Sequence, residues 1–160
     1  MDLAIGLGGA LLGGAIAVGG SISVTTMNLH ADREREARDL RRPVYTAYRD
    51  AANEFATGMA QRFTCEISDP PIEPCAISRD EVQTLRYNLQ RATNAVHIVG
   101  TDEAVSAMFD VANAMPPTLV GLTGEPEIGF VDERWFERAI REFDRVTNCE
   151  TSPDPSGDFC

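Results

Sequence analysis

The chain has 160 residues and a formal net charge of −11, from 14 basic and 25 acidic residues. A chain of this length forms one modest domain with at most an appendage, which excludes a multidomain enzyme. So large an acidic excess disfavours binding to the phosphate backbone of nucleic acid, and we expect no nucleic-acid partner. The charge is unevenly placed, since residues 3–27 carry none and residues 43–160 carry a net charge of −11.

The chain opens on a long uncharged segment. Residues 3–27 include nine Leu, Ile or Val residues and seven glycines, and a helix of this length extends about 37 Å, enough to cross a bilayer core of about 30 Å. The branched aliphatic side chains contribute about 3 to 5 kcal/mol to insertion, and the glycines dilute that gain. We therefore predict a transmembrane helix over residues 1–28, with the lipid bilayer as a partner.

Three other interpretations of this segment compete. A cleavable signal peptide would begin with positive residues, whereas this chain begins with a methionine and an aspartate. Gly6, Gly8 and Gly9 suggest a dinucleotide-binding loop, but Leu11 stands where the third glycine belongs and no strand precedes the loop. A buried helix of a soluble protein would tolerate neither seven glycines nor such a length without polar residues. The transmembrane interpretation is favoured over all three.

Small residues recur along this segment on one stripe of a helix: Gly6, Gly9, Gly13, Ala17 and Gly20. In lipid, where apolar side chains gain nothing by leaving one another, small residues let two helix backbones approach and gain dispersion contacts. The stripe predicts a homo-oligomer formed through the transmembrane helix. The alternative is that glycine and alanine are simply common in bacterial spans.

The residues after the span are rich in arginine: Arg33, Arg35, Arg38, Arg41 and Arg42. No arginine precedes the span, and basic residues mark the cytoplasmic side of a membrane protein. This asymmetry predicts an N-terminus outside the cell and a cytoplasmic C-terminal domain. Residues 29–42 also carry four acids, and their opposite charges three and four residues apart predict a charged juxtamembrane helix.

Periodic apolar residues predict a helical domain over residues 43–148. Pro43 is favoured in the first turn of a helix and disfavoured inside one, so a new helix is expected to begin there. Its apolar stripe extends over residues 44–63 and includes Tyr45 and Tyr48. Residues 64–77 contain three prolines and no periodicity, which predicts a surface loop.

Local signals mark the next two helices. Ser78 and Glu81 have the spacing of a capping box and precede an apolar stripe of Val82, Leu85, Leu89, Ala92, Val96 and Val99. Gly100 is expected to end that helix, and Thr101 to cap the next one, over residues 102–115.

A last helix is predicted over residues 132–147, with Trp135 on its apolar face, and the tail 149–160 is predicted to be flexible. Trp135, the two tyrosines and the phenylalanines are expected in the core. The predicted fold class is all-α, with an N-terminal transmembrane helix followed by an antiparallel bundle of about four helices.

The four cysteines bracket two segments. Cys65 and Cys75 lie at the ends of the proline-rich loop, and Cys149 and Cys160 enclose the tail. Two local disulfides would each stabilise the fold by about 3 kcal/mol. Disulfides rarely persist in the cytoplasm, so this pattern conflicts with the orientation that the arginines predict. The arginine asymmetry is given the greater weight.

No catalytic or metal-binding motif is present. The cysteines lack the CxxC spacing of a zinc site, and the two histidines, His30 and His97, lie in no motif of a metalloprotease or a hydrolase. The carboxylates have arginine neighbours and are typical of a solvated surface. We predict a protein that is not an enzyme and that uses no cofactor or metal.

The order of features, a Gly-rich span, then ADREREARDLRR, then PVYTAYRDAANEF, resembles a loose group of small single-pass membrane proteins from actinobacteria and their phages. The resemblance covers about residues 1–60 and implies an Arg/Glu-rich helix that leads into a helical domain. It implies no activity. The sequence therefore predicts a membrane-anchored helical interaction or scaffold protein with an unidentified protein partner; the alternative is an exported or surface-tethered helical domain stabilised by the two disulfides.

Overall fold

The computed structural model describes residues 5–70, 72, 74–116 and 128–153, with side chains from residue 31 onward. This part of the chain contains four α-helices and no strand: α1 (Ile5–Ile67), α2 (Arg79–Val99), α3 (Asp102–Asn113) and α4 (Glu133–Thr151). The predicted all-α class is confirmed for it. The chain divides into two compact units, Met1–Ala37 and Arg38–Cys160, and the second unit is called the helical domain below.

The first unit is helical in backbone from Ile5 onward. Its described side chains are largely exposed, and Arg35 forms an exposed ion pair with Asp32 at 3.8 Å. Within the part of the chain that the structure describes, no helix is both long enough and apolar enough to cross a bilayer. The predicted span over residues 1–28 and its stripe of small residues lie outside the residues whose side chains are described.

The structure differs from the prediction at Pro43, which lies inside α1 rather than at the start of a new helix. A proline inside a helix removes the hydrogen bond to the carbonyl four residues earlier, here that of Asp39. Asp39 and Pro43 are both exposed, so water can solvate that carbonyl. The predicted juxtamembrane helix 29–42 is therefore not a separate helix, and the boundary between units falls after Ala37.

Contacts between helices show the course of the chain in the helical domain. Residues 41 and 58 of α1 lie beside residues 99 and 85 of α2, so α1 and α2 are antiparallel. Residues 42 and 63 of α1 lie beside residues 151 and 130, which makes α4 antiparallel to α1 as well. The domain is an antiparallel bundle, as the sequence predicts.

The core is formed largely by the predicted apolar stripes, with the addition of Val111, which lies outside the stripe predicted for α3. Tyr48, Phe55 and Met59 of α1 are fully buried, and the other helices contribute Val82, Val96, Met108, Val111 and Phe143. Phe143 lies 5.9 Å from Tyr45 and 4.9 Å from Tyr48 between ring centroids. These edge and tilted ring contacts add stabilisation beyond the burial of apolar surface and join α4 to α1.

The predicted caps of α2 and α3 are confirmed. The Ser78 side chain accepts a hydrogen bond from the Glu81 backbone N–H, and the Glu81 carboxylate accepts one from the Ser78 backbone N–H. Thr101 accepts a bond from the Ala104 N–H at the start of α3. Gly100 ends α2, and a Cβ atom there would meet the Val96 carbonyl oxygen at 2.6 Å, so a side chain cannot be accommodated without movement.

Three aromatic residues predicted in the core are instead exposed. Trp135, Phe109 and Phe130 are 48%, 44% and 68% exposed. Successive side chains on a helix point about 100° apart. Met108 faces the core, so the adjacent Phe109 is turned away from it, and the same holds for Phe136 and the adjacent Trp135. The apolar stripes are therefore wider than the core that they face.

Helix α4 is longer than predicted and ends at Thr151. The side chains of Thr147 and Thr151 donate to the backbone carbonyls of Phe143 and Thr147 within the helix, and Thr147 and Thr151 are buried. The last turn lacks periodic apolar residues and is held by this burial and by the hydrogen bond that Arg42 of α1 donates to the Thr151 carbonyl. The predicted flexible tail 149–160 therefore begins with residues that belong to α4, and residues 154–160 lie outside the described residues.

Candidate functional site

Two consecutive arginines cap the C-termini of two different helices. Arg41 donates through Nε to the Val99 carbonyl at the end of α2, and Arg42 donates through Nη2 to the Thr151 carbonyl at the end of α4, both at 2.9 Å. The last carbonyls of a helix have no partner within the helix and carry partial negative charge. Two of the five arginines that the sequence assigns to membrane orientation therefore have a structural role.

Beside these caps lies a polar cluster that joins three helices. The Tyr45 hydroxyl donates to Glu150 Oε2 at 2.5 Å, and Thr101 donates from Oγ1 to Glu150 Oε1. Glu150 thus connects α4 with α1 and with the N-cap of α3. Burial, followed by the hydrogen bond to Glu150 and its negative charge, raises the pKa of the Tyr45 hydroxyl above its usual range.

Replacement of Tyr45 by phenylalanine is expected to lower the free energy of unfolding by about 1–3 kcal/mol, the usual loss for a hydrogen bond to a charged group. Tyr45→Phe, Glu150→Ala and the double variant should show coupling in urea denaturation. Independent, additive losses would contradict a direct interaction between the two side chains.

The raised pKa of Tyr45 also predicts sensitivity to high pH. Burial alone raises the pKa of Tyr48 in the same direction, so the folded protein holds both protons above pH 10, where an unfolded tyrosine loses them. Stability is then complete below about pH 10 and falls as the pH rises further. Urea midpoints measured on both sides of pH 10 test this, and the fall should be smaller in Tyr45→Phe.

A polar cavity of about 370 Å³ lies between α1 and α4 next to this cluster, and it is lined by Arg42, Tyr45, Thr46, Arg49, Asp144, Thr147, Asn148, Thr151 and Ser152. Burial raises the pKa of Asp144, partly offset by the positive charge of Arg49. The hydroxyls of Thr147 and Thr151 already donate to helix carbonyls. The cavity therefore offers hydrogen-bond donors and acceptors of both charges.

No metal site is found among the described residues, where no group of three or more His, Cys, Asp or Glu side chains could hold an ion. His97 is exposed, and its ring lies 5.3 Å from the Phe109 ring in an edge-to-face arrangement. The side chain of His30 lies outside the described part of the chain. Neither histidine therefore belongs to a group of three or more possible metal ligands in the region that the structure describes.

The proline-rich loop is closed by a disulfide between Cys65 and Cys75. Around it, Glu66 pairs with Arg62 at 2.8 Å and with Arg79 of α2 at 2.9 Å. Burial is the largest single influence and raises the pKa of Glu66, but the hydrogen bonds and positive charges of Arg62 and Arg79 together outweigh it and lower the pKa. Covalent and ionic links therefore fix the end of α1 to the start of α2.

Cys149 is disulfide-bonded as well. The predicted pair Cys149–Cys160 involves a residue outside the described part of the chain. No cysteine in that part is free.

The three remaining arginines of the predicted orientation signal lie at the start of the part of the chain whose side chains are described. Arg33 is exposed, Arg35 forms the exposed ion pair with Asp32, and Arg38 is half-buried at the start of the helical domain.

A groove of about 600 Å³ lies between α3 and the outer face of α4, lined by Asp110, Trp135, Arg138, Ala139, Arg141, Glu142 and Arg145. The sequence does not predict this groove, because periodicity places Trp135 in the core. A signal was present, however, since arginines recur on α4 at residues 134, 138, 141 and 145, the spacing of one helix face. Arg86 was also missed: it is buried in α2 beside Gln83.

Comparisons of the chain with protein-family models, with curated proteins and with solved structures give no match. The resemblance to small single-pass membrane proteins of actinobacteria and their phages stays a prediction.

Proposed function

We propose that the protein is a membrane-tethered binding module whose helical domain lies outside the cytoplasm. The observation that carries this proposal is the disulfide between Cys65 and Cys75, together with the oxidised state of Cys149. Disulfides form and persist in oxidising compartments and are rare in the cytoplasm. The proposal adopts the orientation that the sequence analysis treated as the alternative.

The roles of the arginines support this choice. A cytoplasmic orientation rests on five arginines after the span, but Arg41 and Arg42 are required by the fold, as caps of α2 and α4. The other three are interleaved with the four acids of residues 28–42. The arginines are therefore weaker evidence for a cytoplasmic domain than the sequence suggests, whereas the bonded cysteines are stronger evidence for a domain outside the cytoplasm.

The tether is the uncharged opening segment. Its backbone is helical from Ile5, and nine Leu, Ile or Val residues within residues 3–27 favour insertion into lipid. The stripe of Gly6, Gly9, Gly13, Ala17 and Gly20 supports self-association of this helix in the bilayer.

A binding role rather than catalysis is favoured by the described side chains. The polar cluster of Tyr45, Thr101 and Glu150 joins three helices, since both hydroxyls donate to the one carboxylate, and this gives the cluster a role in stability. Several large apolar side chains are instead exposed, including Ile98 at 81% and Phe130 at 68%. Trp135 is exposed as well and lines the groove between α3 and α4, and exposed tryptophan is enriched at protein-contact surfaces.

Labelling of thiols in intact cells tests the location. A membrane-impermeant maleimide should not react with the wild-type protein until an impermeant reductant has been added, and it should then react without permeabilisation. Thiols that are free and react only after permeabilisation would overturn the proposal. The Cys65→Ala, Cys75→Ala variant should lose two of the four reactive thiols.

A second variant separates location from oxidation. With all four cysteines replaced and Ser106→Cys introduced on the exposed face of α3, the single thiol needs no reductant. Labelling in intact cells is expected. If this thiol stays protected until the cells are permeabilised, the domain is cytoplasmic whatever the state of the native cysteines.

A further inference from the structure

The groove between α3 and α4 combines the two side-chain types that dominate protein-binding hot spots. Trp135 is 48% exposed, and Arg138, Arg141 and Arg145 line the same groove. Tryptophan and arginine are the residues most enriched where binding energy concentrates, because each presents a large surface with directional contacts. Trp135 is the single tryptophan of the chain, and the core position beside it is filled by Phe136.

The arginines of this groove are available to a ligand. Arg141 pairs with Glu137 at 3.4 Å and Arg145 with Glu142 at 2.6 Å, but all four side chains are about half exposed or more. Exposed ion pairs of this kind contribute only about 0–1 kcal/mol, so an incoming carboxylate can replace either partner. Within the described part of the chain, Arg138 has no ion pair.

The groove also carries two acids, and these restrict what can bind. Asp110 lies on the α3 side and Glu142 on α4. They would repel a uniformly anionic surface, such as a membrane rich in acidic lipid or a nucleic-acid backbone. A folded or helical protein segment, by contrast, presents its carboxylates at discrete positions and can face the arginines while avoiding Asp110.

We propose that this groove docks an acidic segment of a partner protein. An apolar side chain of that segment packs on the exposed ring of Trp135, and its carboxylates face Arg138 and Arg141. The charge pattern argues for this occupant, since α4 presents a row of arginines in a domain with an overall excess of acid. The inference rests on the proposed binding role but not on the compartment.

The fluorescence of Trp135 provides the test, because no other tryptophan contributes to the signal. The full-length protein in vesicles of zwitterionic lipid, which contain no other protein, is titrated with an amphipathic peptide of leucine and glutamate and with its counterpart of leucine and glutamine. The glutamate peptide should shift the emission to shorter wavelength in a saturable manner, with weaker binding at higher salt. The glutamine peptide should bind at least about tenfold more weakly.

Matched variants locate the site. Arg138→Ala should weaken binding of the glutamate peptide by about tenfold, which corresponds to about 1.4 kcal/mol. Arg91→Ala should have no effect, since Arg91 is an exposed arginine of α2 whose side chain donates to Asn88. Circular dichroism confirms that both variants are folded.

Four outcomes would overturn the inference. The first two are equal binding of the two peptides and no emission change with either peptide. The third is an emission shift that vesicles of anionic lipid produce instead. The fourth is a shift that grows with protein concentration alone, which would assign the groove to a second copy of the chain. If the peptides fail this test but the labelling experiment places the thiols outside the cytoplasm, only the docking inference is wrong and the proposed orientation of the domain is retained. Cytoplasmic thiols with intact peptide binding would overturn only the orientation.

Discussion

Truncation of Phe143 to alanine is expected to lower the free energy of unfolding of the helical domain by about 3–5 kcal/mol. Phe143 is fully buried, and its ring contacts those of Tyr45 and Tyr48. The variant therefore leaves a cavity at the place where α4 meets α1. A domain of this size is typically stable by about 5–15 kcal/mol, so the loss is a large fraction of the total. Urea denaturation followed by circular dichroism measures it.

Phe109 provides the matched control for this truncation. It is a phenylalanine of α3 with 44% of its surface exposed, and its described ring contact is with the exposed His97. Phe109→Ala should cost less than about 1 kcal/mol, because much of the removed surface already faces water. If Phe143→Ala and Phe109→Ala lower the free energy of unfolding equally, the prediction that the buried ring contributes more to stability is wrong.

Most of the fold can be predicted from the sequence, because local chemistry specifies its helices. Ser78 and Glu81 satisfy each other's backbone N–H groups whatever the tertiary structure, and Thr101 caps α3 in the same way. Apolar residues at helical spacing then define the faces that must be buried. These signals act within a few residues of one another, so the sequence alone is enough to read them.

The errors arise where tertiary structure decides. Periodicity places Trp135 and Phe109 on apolar faces, but it does not show how wide the contact with the neighbouring helices is. Pro43 ends a helix in isolation, whereas here α1 continues through it. The last turn of α4 depends on Arg42, which is 109 residues away in sequence from its partner Thr151.

The candidate sites are even less visible in the sequence, because their residues are distant along the chain. Tyr45 and Glu150 are separated by 105 residues, and each is ordinary in its own local context. A side chain that caps a helix distant in sequence leaves no recognisable pattern among its own neighbours. Arg41 and Arg42 were therefore interpreted only as residues that orient the chain in the membrane. The disulfide is the exception, since two cysteines that bracket a proline-rich loop already indicate a pair.

Loss of the Cys65–Cys75 disulfide is expected to lower the free energy of unfolding by about 3 kcal/mol. The bond joins residues separated by 10 positions and restricts the unfolded chain more than the folded one. The pairs of Glu66 with Arg62 and Arg79 hold the same ends of the loop in the folded state. The Cys65→Ala, Cys75→Ser variant should therefore keep its helical content while its urea midpoint falls.

Reduction of the wild-type protein and of this variant separates the contributions of the disulfides. Dithiothreitol should destabilise the wild type by more than it destabilises the variant, because Cys149 retains a bond in both. The slope of the unfolding free energy against urea should also rise when the loop bond is lost, since a less restricted unfolded chain exposes more surface. An unchanged midpoint and slope in the variant would mean that the ionic links alone hold the loop and that the disulfide contributes nothing to stability.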